Sequence, residues 1–351
     1  MTKVYEHITD KKLGCKQILS NEKATQKTIN KIENSLSPLG LFDIDYDVVL
    51  FGSIARYEFS TQSDIDWTLL IDGKADPRHY SVYKGIENEL KDKGFTEPGT
   101  SGLFGQITFS QSLIHNIGGE HDTNHNLTRR ILLLLESIPV QVHKGYSSKT
   151  YERVIKSILS CYISNDTSFE SRKGKQNKVP RFLLNDVVRL WRTMCVDFAY
   201  KQKDFDNSKW GLRNIKLRMS RKMSYIKGLL LVYSCYKNPS LDISNPENII
   251  EFLYQKVKLT PLEIALQLAN DGNLNLRTVN SIIRHYDSFL KLISTKTQRD
   301  KLMYIYPDTA YSNKDFIAAR EISIKFQKSI ESLLTQTKYP FQEFIFAYGI
   351  F

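Results

Sequence analysis

The sequence predicts an α+β protein, with a small mixed sheet and its helices in residues 46–150 and a mainly helical domain over 181–351. Two observations predict this. Short apolar runs such as VVLF, WTLLI and QITF, separated by polar and glycine-containing turns, fill the first half after residue 45. From Arg181 onward, apolar residues recur at helical spacing almost without a break. At 351 residues and 41% apolar content the chain can bury a substantial core and is expected to form two domains.

Residues 1–45 read as a helical preface, with KKLGCKQIL and KTINKIENSL as amphipathic pieces. A strand through Val48–Phe51, a turn, and a second strand opening at Asp64 follow. Tyr80, Tyr83, Ile86 and Leu90 recur at helical spacing within Arg78–Lys93, a helix that crosses back over the sheet. A glycine-rich connection leads to a strand near Gly105–Gln111 and then to the loop GGEHDTNHN. A helix from about Leu127, capped by Asn126 or Thr128, and a strand near Ile138–Val142 complete the sheet. Residues 151–180 form a bridge, a helix over Tyr151–Ile163 and then a polar, basic linker over 164–180 ending in Pro180. In the helical domain, IIEFLYQKV, PLEIALQLA and SIIRHYDSFLKLI carry apolar stripes, and no chemistry is read in residues 231–351. The aromatic tail PFQEFIFAYGIF is expected to dock in a groove, with the Tyr348 hydroxyl as an alternative primer for nucleotide addition. The sequence has no internal repeat.

Composition narrows the function classes. No run of eighteen apolar residues exists, so no membrane span is expected. The start MTKVYEHITDKK lacks the apolar core of a secretion signal. Cys15, Cys161, Cys195 and Cys235 are scattered without CxxC spacing, which fits buried thiols in a reducing cytoplasm. His115, His121 and His125 cluster before a helix, but no cysteine joins them as in a zinc site. The net charge of +11 is uneven: residues 1–150 hold 17 Lys+Arg against 19 Asp+Glu, whereas 172–227 hold 16 against 4. A basic block of that density favours polyanionic partners, a nucleoside triphosphate and a single-stranded nucleic acid.

The chemistry concentrates in VVLFGSIARYEFSTQSDIDWTLLID, residues 48–72. Residues two apart on a strand point the same way, so Asp64, Asp66 and Thr68 share one face while Ile65, Trp67 and Leu69 enter the core. Two neighbouring carboxylates repel unless a divalent cation joins them, and Mg²⁺ favours such oxygen ligands. Gly52-Ser53, at the end of the preceding strand, lets backbone N–H groups and a hydroxyl approach phosphate.

Gly52-Ser53, the ten-residue gap and Asp64-Ile65-Asp66 resemble the defining motif of the DNA polymerase β superfamily of nucleotidyltransferases. The resemblance implies a polymerase β-like catalytic domain over 46–150 that moves a nucleoside monophosphate from a triphosphate to a hydroxyl, releasing pyrophosphate. It implies two Mg²⁺ or Mn²⁺ ions held by Asp64 and Asp66, with Ser53 on the phosphates. Arg56 either neutralises phosphate charge or pairs with Glu58. A third carboxylate is expected at Glu136, where ILLLLESIPVQV resembles the matching segment of bacterial protein-PII uridylyltransferases and a related, poorly characterised group; Asp122 is the alternative. The resemblance extends through PRFLLNDVVRLWRTM and KWGLRNIKLRMSRK to about residue 230.

Those two runs supply further candidates. Asn185, Arg189 and Arg192 form a polar stripe on an apolar helix, and its partners are either the triphosphate or Asp186 and Asp197. Leu212, Ile215, Met219, Met223 and Ile226 form an apolar stripe flanked by Arg213, Lys216 and Lys227 on one side and Arg218, Arg221 and Lys222 on the other. Lys209, Arg213 and Lys216 are expected to contact phosphates in a cleft between the two domains. Template-independent synthesis or extension of an oligonucleotide, as in some antiviral members of the superfamily, heads the expected activities. The alternatives are toxin-like or regulatory nucleotidylylation of a protein or RNA, cyclic dinucleotide synthesis, and an inactive nucleotide-binding module.

Overall fold

A computed structural model describes residues 1–41, 45–99, 102–141, 149–164, 179–201, 209–236, 238, 240–242 and 245–349. Most of the linker expected over 164–180 lies outside these residues, as do Val142 and the last two residues of the aromatic tail.

Four strands form one mixed sheet in the order β3-β2-β1-β4. They are β1 (Tyr46–Phe51), β2 (Asp66–Ile71), β3 (Gln106–Phe109) and β4 (Ser137–Pro139). β1 runs antiparallel to both β2 and β4, and β2 runs parallel to β3. A parallel pair needs a crossover, and α3 (Arg78–Asp92) lies in the connection between its strands. Pleating divides the side chains between two faces. Val48, Leu50, Trp67 and Leu69 pack with Ile29, Ile32 and Leu36 of α2 (Lys16–Leu36) and with Ile86 and Leu90 of α3. Val49, Phe51 and Leu70 join the opposite core, with α5 (Asn124–Leu135) and α6 (Lys149–Ser164).

The helical remainder comprises α7 (Arg181–Tyr200), α8 (Trp210–Lys216), a π-helical turn (Leu217–Arg221) and α9 (Lys222–Tyr233). These are followed by α10 (Pro246–Val257), α11 (Pro261–Asn270), α12 (Leu276–Ile293), α13 (Lys296–Met303), α14 (Pro307–Ala310), α15 (Lys314–Thr335) and α16 (Pro340–Phe344). The stripe Leu212, Ile215, Met219, Met223 and Ile226 is buried as expected. One continuous core reaches from Val49 and Phe51 on the sheet to Phe341 and Phe344 of the tail. Among the described residues no helix is long and apolar enough to cross a membrane.

Four local expectations need correction. The cap of α5 is Thr123, whose side chain accepts from the Asn126 N–H, and not Asn126 or Thr128. KKLGCKQIL is not one helical piece: α1 (Lys3–Asp10) ends there, Lys12 and Gly14 turn at positive φ, and α2 then runs unbroken through KTINKIENSL. β3 stops at Phe109 because Ser110 opens a short helix, α4 (Ser110–Ile114). The polar stripe of α7 is not enclosed; the helix buries Leu183, Leu184, Val187 and Leu190, while Asn185 and Arg192 are exposed.

The N-terminal helices return to the C-terminal ones. The Ile18 N–H donates to Asp287 on α12 at 2.8 Å, and the His7 ring lies 2.8 Å from the Asn280 side-chain carbonyl. Val4 and Ile8 of α1 belong to the same core as Ile282 and Ile283.

Candidate functional site

Strand register explains why the candidate acids meet. Phe51, the last residue of β1, pairs with Asp66 on one side and Ser137 on the other. Glu136 therefore arrives beside the turn that begins at Gly52, and the Gly52 N–H donates to the Glu136 carbonyl at 3.1 Å. Gly52 sits at φ +70°, where a side chain is disfavoured, and an added Cβ would lie 3.2 Å from Asp66 Oδ2. Gly52 thus gives the turn its shape and leaves room for the Asp66 carboxylate. Thr68 shares the Asp66 face but is buried beneath it, bonded to Thr108 at 2.8 Å.

The turn opens on a cleft of ≈ 530 Å³, a volume suited to a small ligand. Gly52, Ser53, Arg56, Asp64, Asp66, Glu136 and Lys216 all line it. Its far walls come from Thr193, Asp197 and Lys201 at the end of α7, from Ser220 and Arg221 of the π turn, and from Phe289, Leu290 and Ile293 of α12. Arg299 of α13 also lines it and donates to the Gln62 carbonyl.

Electrostatics divide the cleft into an acidic and a basic part. Burial, with Asp64 next to it, pushes the Asp66 carboxyl up to about 7 against the pull of Lys216. Burial and the nearby Arg299 bring the Lys216 ammonium down to about 8, opposed by Asp64. Burial also lowers the Arg221 guanidinium. Neither the Lys216 ammonium nor the Arg221 guanidinium has a hydrogen-bond or ion-pair partner among the described residues. An α-helix would set residues five apart about 140° round its axis. The π turn, which takes an extra residue per turn, brings Lys216 and Arg221 onto the cleft side together.

Arg56 occupies the centre. It pairs with Glu58 at 2.9 Å and with Glu136. Burial alone would lower its pKa, but Glu136 and Glu58 hold it well above the usual arginine value. Tyr286 of α12 donates to the other Glu58 oxygen at 2.7 Å, and Asn21 of α2 donates to the Glu58 carbonyl at 3.1 Å. The expected pairing of Arg56 with Glu58 is therefore present, and Glu136 shares it.

Comparison with protein-family models and with curated proteins finds no match to this chain. The cleft is therefore interpreted from its own residues.

Several sequence candidates lie elsewhere. Asp122 is bound by the buried Arg130 through both carboxylate oxygens, at 2.9 and 2.8 Å, and does not line the cleft. Glu136, not Asp122, is thus the acid that joins Asp64 and Asp66. Arg189 pairs with Asp122 at 3.4 Å and donates to its carbonyl at 3.0 Å, so internal acids rather than a ligand hold it. Arg192 and Lys209 are exposed and Arg213 is half-buried, all outside the cleft lining. The sequence places Arg221 among basic helix flanks that could grip phosphates, gives Tyr286 and Phe289 only a place in the apolar pattern of SIIRHYDSFLKLI, and marks Arg299 in no way. Nothing near the last three in sequence signals chemistry; tertiary packing alone brings them to the turn.

The fit to a divalent ion is partial. Asp64 and Asp66 supply carboxylates whose mutual repulsion a cation would relieve, and burial raises the cost of leaving it unrelieved. Glu136 has its carboxylate engaged by Arg56. Among the described residues no three His, Cys, Asp or Glu side chains form a ready metal cage.

Proposed function

We propose that this chain is a nucleotidyltransferase that moves a nucleoside monophosphate from a nucleoside triphosphate to a hydroxyl on an oligonucleotide, in the manner of the DNA polymerase β superfamily. The observation that carries the reading is the meeting, in one cleft, of the Gly52-Ser53 turn, the Asp64/Asp66/Glu136 acids and the unpaired cations Lys216 and Arg221. An acid cluster facing unpaired cations suits a ligand that brings both phosphate oxygens and a metal.

In this reading Asp64 and Asp66 hold Mg²⁺ or Mn²⁺. Such an ion, when bound, neutralises phosphate charge and makes a hydroxyl easier to ionise. Lys216 and Arg221 neutralise the β- and γ-phosphates, and Ser53 orients them. The acceptor oxygen forms a bond to the α-phosphorus while the α–β bridging bond breaks and pyrophosphate leaves. Glu136 receives the hydroxyl proton once Arg56 turns from it toward the phosphates. Positioning and charge neutralisation are what phosphoryl transfer asks of a protein.

A second reading rests on the engaged Glu136 carboxylate: if Arg56 never releases it, the cleft binds nucleotide without turnover. One experiment separates the two. The full-length protein is incubated with each NTP and dNTP plus Mg²⁺ or Mn²⁺, with and without a short single-stranded primer. Asp64→Asn/Asp66→Asn is the control, and pyrophosphate, denaturing gels and intact mass are read. Oligomers absent from the control support the transferase reading. A mass gain on the protein moves the acceptor to a polypeptide. Nucleotide binding with no pyrophosphate under any condition selects the binding module.

A further inference from the structure

The outward face of α7 is built unlike a solvated helix surface. Phe182, Val196 and Tyr200 are 44%, 69% and 65% exposed. They share one stripe with Asn185, Arg189 and Arg192, which sit together between Phe182 at one end and Val196 and Tyr200 at the other. Burying such residues against a partner removes apolar area that folding has left in water. The only acids on the helix, Asp186 and Asp197, are already engaged, Asp186 by Arg130 at 2.7 Å and Asp197 by Lys201 at 2.7 Å. The stripe therefore presents the Phe182 and Tyr200 rings and the exposed Arg192, with Arg189 held by Asp122 and no unengaged carboxylate among them.

This face adjoins the cleft. At 100° per residue, Thr193, Asp197 and Lys201 lie next to Val196 and Tyr200 round the helix, and these three line the cleft wall. Arg189 reaches across the same edge to Asn124, which lines the opposite rim. A ligand on the stripe would lead into the cleft at the C-terminal end of α7.

We infer that the outward face of α7 is a docking track for a single-stranded nucleic acid. The rings at the two ends of the stripe offer stacking platforms for bases, and Arg192 between them offers charge for phosphates, without a requirement for sequence. Charge decides against a second copy of the chain, because a two-fold contact would oppose arginine to arginine. The use of the strand as acceptor rests on the proposed transferase reading, whereas its binding does not.

The test is fluorescence anisotropy of the full chain with labelled oligothymidylate and oligouridylate of about ten nucleotides. The two probes distinguish DNA from RNA. Arg192→Glu/Tyr200→Ser is expected to raise Kd at least tenfold with an unchanged Tm. Phe182→Ser/Tyr200→Ser is expected to weaken binding while leaving the salt dependence intact, since it removes stacking and no charge. Asp64→Asn/Asp66→Asn is expected to bind the strand as the wild type does. Equal affinity of the Arg192→Glu/Tyr200→Ser variant overturns the track, as does wild-type dimerisation abolished by Arg192→Glu. Pyrophosphate release without strand binding also overturns it and leaves the proposed reaction standing. Strand binding without pyrophosphate release supports the track and removes the reaction.

Discussion

Burial and Asp64 hold the Asp66 carboxyl near 7, and the direction of that shift fixes a pH dependence. Below about pH 4 the acid is protonated in folded and unfolded chains alike. Between about 4 and 7 the unfolded chain releases the proton and the folded chain retains it, so folding stability falls by about 1.4 kcal/mol per unit of pKa difference. With divalent ions chelated, Asp66→Asn should raise Tm at pH 8 and lose that advantage by pH 4; equal Tm values at pH 8 would contradict the burial argument. Millimolar Mg²⁺ should raise the wild-type Tm at pH 8 and leave Asp64→Asn/Asp66→Asn unmoved. Lys216 works the other way. In the proposed reading its ammonium, which loses its proton near 8, holds phosphate in the charged form, so any ATP affinity should fall as pH rises through 8. Lys216→Met should bind at least tenfold more weakly at pH 7 and show a flatter profile in calorimetric titrations. Gly52→Ala combines positive φ with a Cβ crowding Asp66, and about 1–2 kcal/mol of stability should go with it in urea unfolding.

Lys227 of α9 works on whole elements. Its buried ammonium donates to the carbonyl of Leu135, the last residue of α5, at 2.7 Å and to that of Val257, the last of α10, at 2.9 Å. One amine thus satisfies two helix C-termini; burial brings it down to about 7, against the pull of Glu136 and of the helix dipoles toward the charged form. Lys227→Met should cost about 2–4 kcal/mol in denaturant unfolding by leaving both carbonyls unpaired. It should also loosen Glu136, the next residue after α5. The sequence sets Lys227 among basic flanks that could grip phosphates, and the structure instead buries it on two carbonyls, backbone groups that carry no residue identity. The same limit explains what else was legible. The β1 and β2 strands, α3 and the α8–α9 stripe announce themselves by local periodicity. Gly52, Asp64 and Asp66 are close in sequence and are therefore readable as a motif. Glu136 could be reached through its apolar run, but the choice between it and Asp122 depended on the β1–β4 register and on Arg130. Arg299 and Tyr286 enter through contacts more than two hundred residues away and carry no local mark.

At the scale of the molecule, one face of the sheet shares a core with the helices, and α1 and α16 both contribute to it. Unfolding should therefore be a single transition, with tryptophan fluorescence and far-UV circular dichroism coincident in urea. Trp67 reports from the sheet, Trp191 and Trp210 from the helices. A separate early transition of the sheet would contradict a shared core. The contacts of Tyr286 with Glu58 and of Arg299 with Gln62 have a consequence during biosynthesis. A ribosome completes the glycine–aspartate turn early, but the wall that α12 and α13 raise against it comes more than two hundred codons later. A nascent chain, or one cut short by a premature stop, holds the acids without their enclosure. The cleft is therefore complete only once translation has passed residue 299.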